Sequence, residues 1–170
     1  TDNLMELNQL FARQESDALA LGITGNLPAD GTAIALFFDT QAGGQDSLST
    51  TTLPQPPSGL PQATGLGFDT GFAPDRCLWV NGFGGNLYVD LYTLATGGGG
   101  SKRYLGSGLT GNGQPYLSGG DNPNGLLAAF DNANTQGVTL SSAASANTAT
   151  RGLELRIPWA DLGLSGPTPG

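Results

Sequence analysis

The residues best suited to binding chemistry are acidic and amide side chains at the ends of apolar runs. A hard cation such as Ca²⁺ binds several carboxylate and carbonyl oxygens held on loops. The predicted ligands of a structural calcium ion are Asp39, Gln45, Asp46, Asp69 and Asp75. Asp side chains also cap turns by accepting backbone N–H bonds, and no EF-hand spacing separates the two interpretations.

Side chains that commonly act as a general base or nucleophile are scarce. The sequence has no His and one Cys, Cys77, whose place in the alternating run 76 to 81 favours a buried thiol. Two carboxylates can hydrolyse a glycoside, but Asp69 and Asp75 flank a loop of Gly71 and Pro74 and resemble strand-end acids more closely. The sequence therefore predicts a non-catalytic protein.

Aromatic side chains offer a second binding chemistry. Exposed rings that lie in one plane can stack against a sugar, and ordinary cross-strand packing is the alternative interpretation. The candidate sugar contacts are Phe83, Tyr88, Tyr92, Tyr104 and Tyr116.

Hydroxyl side chains cluster before a proline-rich run at residues 54 to 57. This composition is typical of O-glycosylated segments, whereas no N-x-Ser/Thr sequon occurs. The candidate O-glycosylation sites are Ser47, Ser49, Thr50, Thr51 and Thr52.

Short apolar or alternating runs must position these residues. Eight of them predict strands: 4 to 13, 18 to 24, 32 to 39, 76 to 81, 86 to 92, 102 to 105, 126 to 130 and 153 to 157. The third run is almost wholly apolar, which predicts a central strand covered on both faces. Pro158 can begin a single helical turn that Gly163 ends. The sequence thus predicts an all-β, two-sheet antiparallel sandwich.

The core between the two sheets should consist of the alternating residues of these runs. We expect it to contain Leu19, Leu21, Ile23, Ile34, Leu36, Phe38, Leu87, Val89, Leu91, Leu153, Leu155 and Ile157. Residues 41 to 65, rich in Pro, Ser and Thr, should form one long surface loop.

Length and charge limit the remaining classes. The chain of 170 residues predicts one domain spanning 1 to 170. A net charge of −8 repels phosphate backbones, so nucleic acid is not an expected partner. No window approaches the roughly 18 consecutive apolar residues of a membrane span. We expect an extracellular location, with any signal peptide already removed.

Five segments, in order, resemble family nine carbohydrate-binding modules and related DOMON-like sandwiches. They are ALALGITGNL (18 to 27), IALFFDT (34 to 40) with GGQ (43 to 45), GFDTGFAPDRCLWVNG (67 to 82), NLYVDLY (86 to 92) and GLELRIPWADLGL (152 to 164). The resemblance implies a β-sandwich, a structural calcium ion and sugar held between aromatic side chains. Similar domains continue into further strands after this last segment.

Two functions follow from these observations. A sandwich short of C-terminal strands that begins with an apolar segment predicts a filament or matrix subunit, in which copies of the chain complete one another's sheets. The residues expected to mediate this assembly are Leu4, Met5, Leu7, Leu10 and Phe11. Pairing of this segment with residues 18 to 24 of the same chain is the simpler alternative. The second function is a secreted carbohydrate-binding module.

Overall fold

The computed structural model describes residues 6–57, 59–111, 115–138 and 143–167. Within these residues, eight strands alternate with loops and short 3₁₀ turns. The strands are β1 (Glu6–Gln14), β2 (Ala18–Asn26), β3 (Asp30–Phe38), β4 (Arg76–Phe83), β5 (Asn86–Leu94), β6 (Gly100–Leu109), β7 (Leu127–Phe130) and β8 (Gly152–Pro158).

The strands form two antiparallel sheets of four. The first sheet has the order β1-β2-β8-β7 and the second the order β3-β4-β5-β6. Their inner faces enclose one apolar core, so the predicted all-β two-sheet sandwich is confirmed. Within the described residues, no helix has the length and apolar character that crossing a membrane requires.

The core between the sheets contains the residues that alternation predicted. Eight of the twelve are buried, and Leu19, Leu21, Leu36 and Phe38 pack against the cluster while keeping partial exposure. The four half-exposed residues lie in β2 and β3. The core therefore thins towards this side of the sandwich.

A second apolar cluster lies on the outer face of the β3-β4-β5-β6 sheet. The loop predicted at 41 to 65 places Leu48, Leu53 and Leu60 there, against Cys77 and Trp79 of β4. The 3₁₀ turn Leu60–Ala63 starts with a proline near its N-terminus and contributes the buried Leu60. We call this segment the lid, because it covers the outer cluster on this face of the sheet.

Strand β3 corrects one prediction. Its apolar run indicated a central strand covered on both faces, and both faces do contact apolar clusters. However, β3 lies at the edge of its sheet. The lid covers the outer face of β3, and this explains why the residues on both faces of the strand are apolar although it has only one neighbouring strand.

Chain segments outside the sheets cap two of the four edge strands. Ser107 of β6 exchanges backbone hydrogen bonds of 2.9 Å with Ser118. The Ala128 N–H of β7 donates to the Pro115 carbonyl at 3.1 Å, and the Phe130 carbonyl accepts from Gly111 at 2.7 Å. Among the described residues, no such backbone bonds reach the free edges of β1 and β3, although the Asn8 side chain of β1 donates to the Gly137 carbonyl at 2.6 Å.

The predicted C-terminal turn is confirmed as a 3₁₀ helix over Trp159–Leu162, ended by Gly163 in the left-handed conformation (φ 74°). The buried Trp159 donates its indole N–H to the Glu15 carbonyl at 3.1 Å. Arg156 of β8 pairs with Glu15 at 2.9 Å and with Asp17 at 2.5 Å. These contacts fix the β1–β2 turn.

Candidate functional site

The part of the outer sheet face that the lid leaves open forms a shallow cleft of about 520 Å³. Alternation along β4, β5 and β6 brings aromatic and polar side chains to this one surface. The residues lining it are Gln55, Asn81, Phe83, Tyr88, Asp90, Lys102 and Tyr104. We call this surface the aromatic cleft. It brings together three of the five predicted sugar contacts, namely Phe83, Tyr88 and Tyr104.

An ion pair lies at the floor of the aromatic cleft. The Lys102 ammonium is 3.3 Å from Oδ1 of Asp90, whose side chain is only 9% exposed. Burial raises the pKa of the Asp90 carboxyl, and the nearby Lys102 charge opposes that rise. No hydrogen bond from the described residues reaches this buried Oδ1. Oδ1 is shielded from solvent and faces the Lys102 ammonium group, so it is not accessible to a ligand in this conformation.

Gln55 belongs to the lid and borders the aromatic cleft. Its backbone is left-handed (φ 45°), an uncommon conformation for a residue other than glycine. The Gln55 carbonyl accepts from the Tyr92 hydroxyl at 3.1 Å and from Lys102 at 3.3 Å. Two donors thus hold the strained residue in place beside the cleft.

Two predicted sugar contacts lie elsewhere. Tyr92 is fully buried beneath the lid, because it shares the outer face with Tyr88 but sits where Leu53 and Leu60 cover that face. Tyr92 is therefore corrected to a core residue. Tyr116 is 70% exposed, in the segment beside β6, and does not line the aromatic cleft.

Three of the five predicted calcium ligands, Asp39, Gln45 and Asp75, make side-chain hydrogen bonds within the loops. Asp75 accepts from the backbone N–H of Thr40 at 2.6 Å and of Gln41 at 3.1 Å, and pairs with Arg76 at 2.8 Å. Asp39 accepts from Ala73, and the Gln45 side chain links Gly99 to Ser49.

Asp46 and Asp69 are exposed. No group of three or more His, Cys, Asp or Glu residues in the described part is placed to hold a metal ion. These contacts support turn capping, and calcium binding stays a prediction.

The candidate glycosylation sites differ in exposure. Ser47, Thr51 and Thr52 are exposed and Ser49 is half-buried. Thr50 is 2% exposed and hydrogen-bonds through its hydroxyl to Thr64. Thr50 is therefore corrected to a buried residue that fixes the lid.

The predicted assembly residues fall in and before β1. Leu4 and Met5 lie outside the described residues. Leu7, Leu10 and Phe11 are in β1 and are exposed, although β1 pairs with β2 of the same chain. The simpler hairpin is thus present, and it keeps these side chains on the surface.

Comparison with known proteins identifies no relative. No protein-family model, curated protein or solved structure matches the chain. The resemblance to family nine carbohydrate-binding modules therefore stays a hypothesis from the sequence segments alone.

The polar residues of the aromatic cleft were not among the predicted site residues: Gln55, Asn81, Asp90 and Lys102. A signal for Asp90 was present, because this acid alternates with Tyr88 and Tyr92 in an otherwise apolar strand. No sequence signal indicates Gln55, whose position depends on how the lid folds back over the sheet.

Proposed function

We propose that this protein is a non-catalytic structural subunit of an extracellular filament or matrix, which assembles through β1. The observation that supports this proposal is a nine-residue edge strand with exposed apolar residues on both faces. Proteins usually protect such edges with charge, proline, bulges or covering segments, since unprotected edges pair with other chains. Strand β1 has a bulge between Leu7 and Gln9 and contacts the 3₁₀ turn Ala143–Thr148, but residues 10 to 14 continue in regular register and are all exposed.

The register of β1 assigns its side chains to faces. Leu10 lies opposite Ile23, so it is on the inner face, and Phe11 lies opposite Gly22 on the outer face. Leu10 is 64% exposed and Phe11 55%. Fully burying a Leu or Phe side chain stabilises a complex by about 1.5–3 kcal/mol, so a partner on β1 gains from both faces.

Other side chains support a non-catalytic role. The Cys77 thiol is buried, and burial raises its pKa to about 12. It is therefore protonated at neutral pH and unsuited to act as a nucleophile.

Substitution on β1 tests the assembly. Leu10→Lys places a charge on the strand edge and should convert wild-type oligomers into monomers, because pairing would bury the ammonium group. Sedimentation velocity over a concentration series measures this. The control is Leu109→Lys at the end of β6, since Leu109 is 61% exposed and its strand has a capped edge.

We expect Leu109→Lys to assemble as wild type does, and both variants to keep the wild-type circular dichroism spectrum. A wild-type chain that is monomeric at every concentration contradicts the proposal. Equal loss of assembly in both variants also contradicts it, because β1 is then not the contact.

Carbohydrate binding is a second candidate function, favoured by the aromatic cleft. Rings of Tyr88 and Tyr104 can stack on the apolar face of a sugar, while Asn81 and Lys102 can bond its hydroxyls. The sequence resemblance to carbohydrate-binding modules supports the same ligand class. This cleft and β1 lie on different sheets, so the two functions are compatible.

A titration with soluble oligosaccharides tests this second function. We expect cellohexaose, maltohexaose or chitohexaose to shift the amide resonances of the aromatic cleft. Tyr104→Ala should weaken binding about tenfold, since stacking on one ring contributes on the order of 1 kcal/mol. Tyr116→Ala removes an exposed ring outside the cleft and should leave affinity unchanged. Absence of shifts with all three probes, or equal losses in both variants, contradicts carbohydrate binding here.

A further inference from the structure

Along the free edge of β3, apolar side chains on both faces of the strand are only partly buried. Leu36 and Phe38 are half-buried against the core between the sheets, and Ala33, Ala35 and Phe37 against the cluster under the lid. A strand added to this edge can therefore bury side chains on both of its faces. Such a strand needs apolar side chains on both of its own faces. Strand β1 meets this requirement, with Leu10 on one face and Phe11 on the other.

The first sheet extends past the second on this side of the sandwich. Strand β7 packs against β5 and β6, so β1, at the opposite end of its sheet, lies on the β3 side. Leu7 and Leu10 share the inner face with Leu21 and Ile23, yet they are exposed. The second sheet thus does not reach beneath β1, and a strand added beside β3 would cover these two residues.

Charge selects the direction of pairing between β1 and β3. Arg13, near the end of β1, pairs with Glu15 but has a side chain 76% exposed, and Asp30 at the start of β3 accepts hydrogen bonds from Thr32 and is also exposed. Antiparallel pairing brings Arg13 close to Asp30, whereas parallel pairing brings Glu6 close to Asp30. Opposite charges across a strand pair stabilise it and like charges destabilise it, so the antiparallel arrangement is favoured.

We infer that β1 of one copy pairs antiparallel with β3 of the next copy. This inference rests on the proposed assembly function and specifies its partner surface. Each copy then offers β1 at one contact and β3 at another, a head-to-tail arrangement that forms open filaments or rings. Pairing of β1 with β1 of a second copy is less favourable, because no second layer covers Leu7 and Leu10 there.

Cross-linking between copies tests this pairing. One protein carries Ala12→Cys on β1 and a second carries Thr32→Cys on β3. The two are mixed at a concentration where wild type assembles, and a short bis-maleimide is added. The native Cys77 is buried and should not react, so wild type is the background control.

We expect a covalent dimer in the mixture and little in either variant alone. A dimer of the Ala12→Cys protein by itself, without more in the mixture, overturns the β3 assignment while assembly through β1 stands. Absence of any oligomer in wild type by sedimentation overturns the assembly function itself. The two failures are therefore distinguishable.

Discussion

Asp75 illustrates how a carboxylate predicted to bind a cation can be occupied by the protein. The sequence places Asp75 between a loop and β4, and an aspartate there can bind a cation or accept hydrogen bonds from turn N–H groups. Which partner it has depends on residues 40 and 41, which lie 35 and 34 positions away in the chain. Such long-range contacts have no local sequence signal.

Removing the Asp75 carboxylate should destabilise the fold. Asp75→Ala leaves the Thr40 and Gln41 amides without their acceptor and Arg76 without its counter-ion. We expect a loss of about 3 kcal/mol in the free energy of unfolding, measured by urea denaturation. Asp75→Asn keeps one acceptor oxygen and should lose less. Equal stability of Asp75→Ala and wild type contradicts the capping role.

Thermal melts of wild type and Asp75→Ala, with and without a chelator, test the calcium prediction. A bound ion stabilises the folded state by mass action, so a chelator should lower the Tm of wild type. If Asp75 is a ligand, the Tm of Asp75→Ala should be insensitive to chelator. An unchanged wild-type melt contradicts calcium binding and leaves Asp39, Gln45 and Asp75 in the loop hydrogen bonds described above.

Among the aromatic residues, the sequence identified three side chains of the cleft and misplaced two. Strand alternation correctly put Tyr88 and Tyr92 on one face, away from the core between the sheets. It could not show that the lid covers only one end of that face. The difference between an exposed ring and a buried one therefore depends on the folding of residues 41 to 65.

At the scale of elements, all eight predicted strands are present, because period-two alternation and turn residues are local signals. The largest errors concern the position of β3, predicted to be central, and the loop at 41 to 65, which contributes buried residues to the outer cluster. The apolar run of β3 indicates that both faces of the strand are covered, but it does not show that a loop, the lid, covers one of them or that the strand lies at the edge of its sheet. Sheet order follows from non-local pairing that alternation does not encode.

The lid should be a stabilising element and not a passive connection. Leu60 is 1% exposed within the outer cluster, so Leu60→Ala removes buried methyl groups and leaves a cavity. We expect a loss of about 3 kcal/mol, together with altered resonances of Tyr92 and Gln55. Leu66→Ala is the matched control, since Leu66 is 47% exposed and should change stability by less than about 0.5 kcal/mol. Equal effects of the two substitutions contradict this role.

At the scale of the whole molecule, net charge and the proposed contacts act in opposite directions. The chain carries −8, which makes copies repel one another. The two proposed contact strands carry little of this charge: β1 contains Glu6 and Arg13, and β3 contains only Asp30. Contact through these edges therefore places few like charges together.

Salt should consequently strengthen assembly. Raising NaCl from about 0.1 M to about 1 M shortens the Debye length from about 10 Å to about 3 Å, which screens repulsion between copies. Burial of Leu10 and Phe11 does not weaken under these conditions, and the single Arg13–Asp30 attraction is exposed and contributes little. We expect larger oligomers at high salt by sedimentation velocity, while Leu10→Lys stays monomeric at both concentrations. Dissociation of wild type by salt would instead show that ion pairs, and not apolar edge strands, hold the copies together.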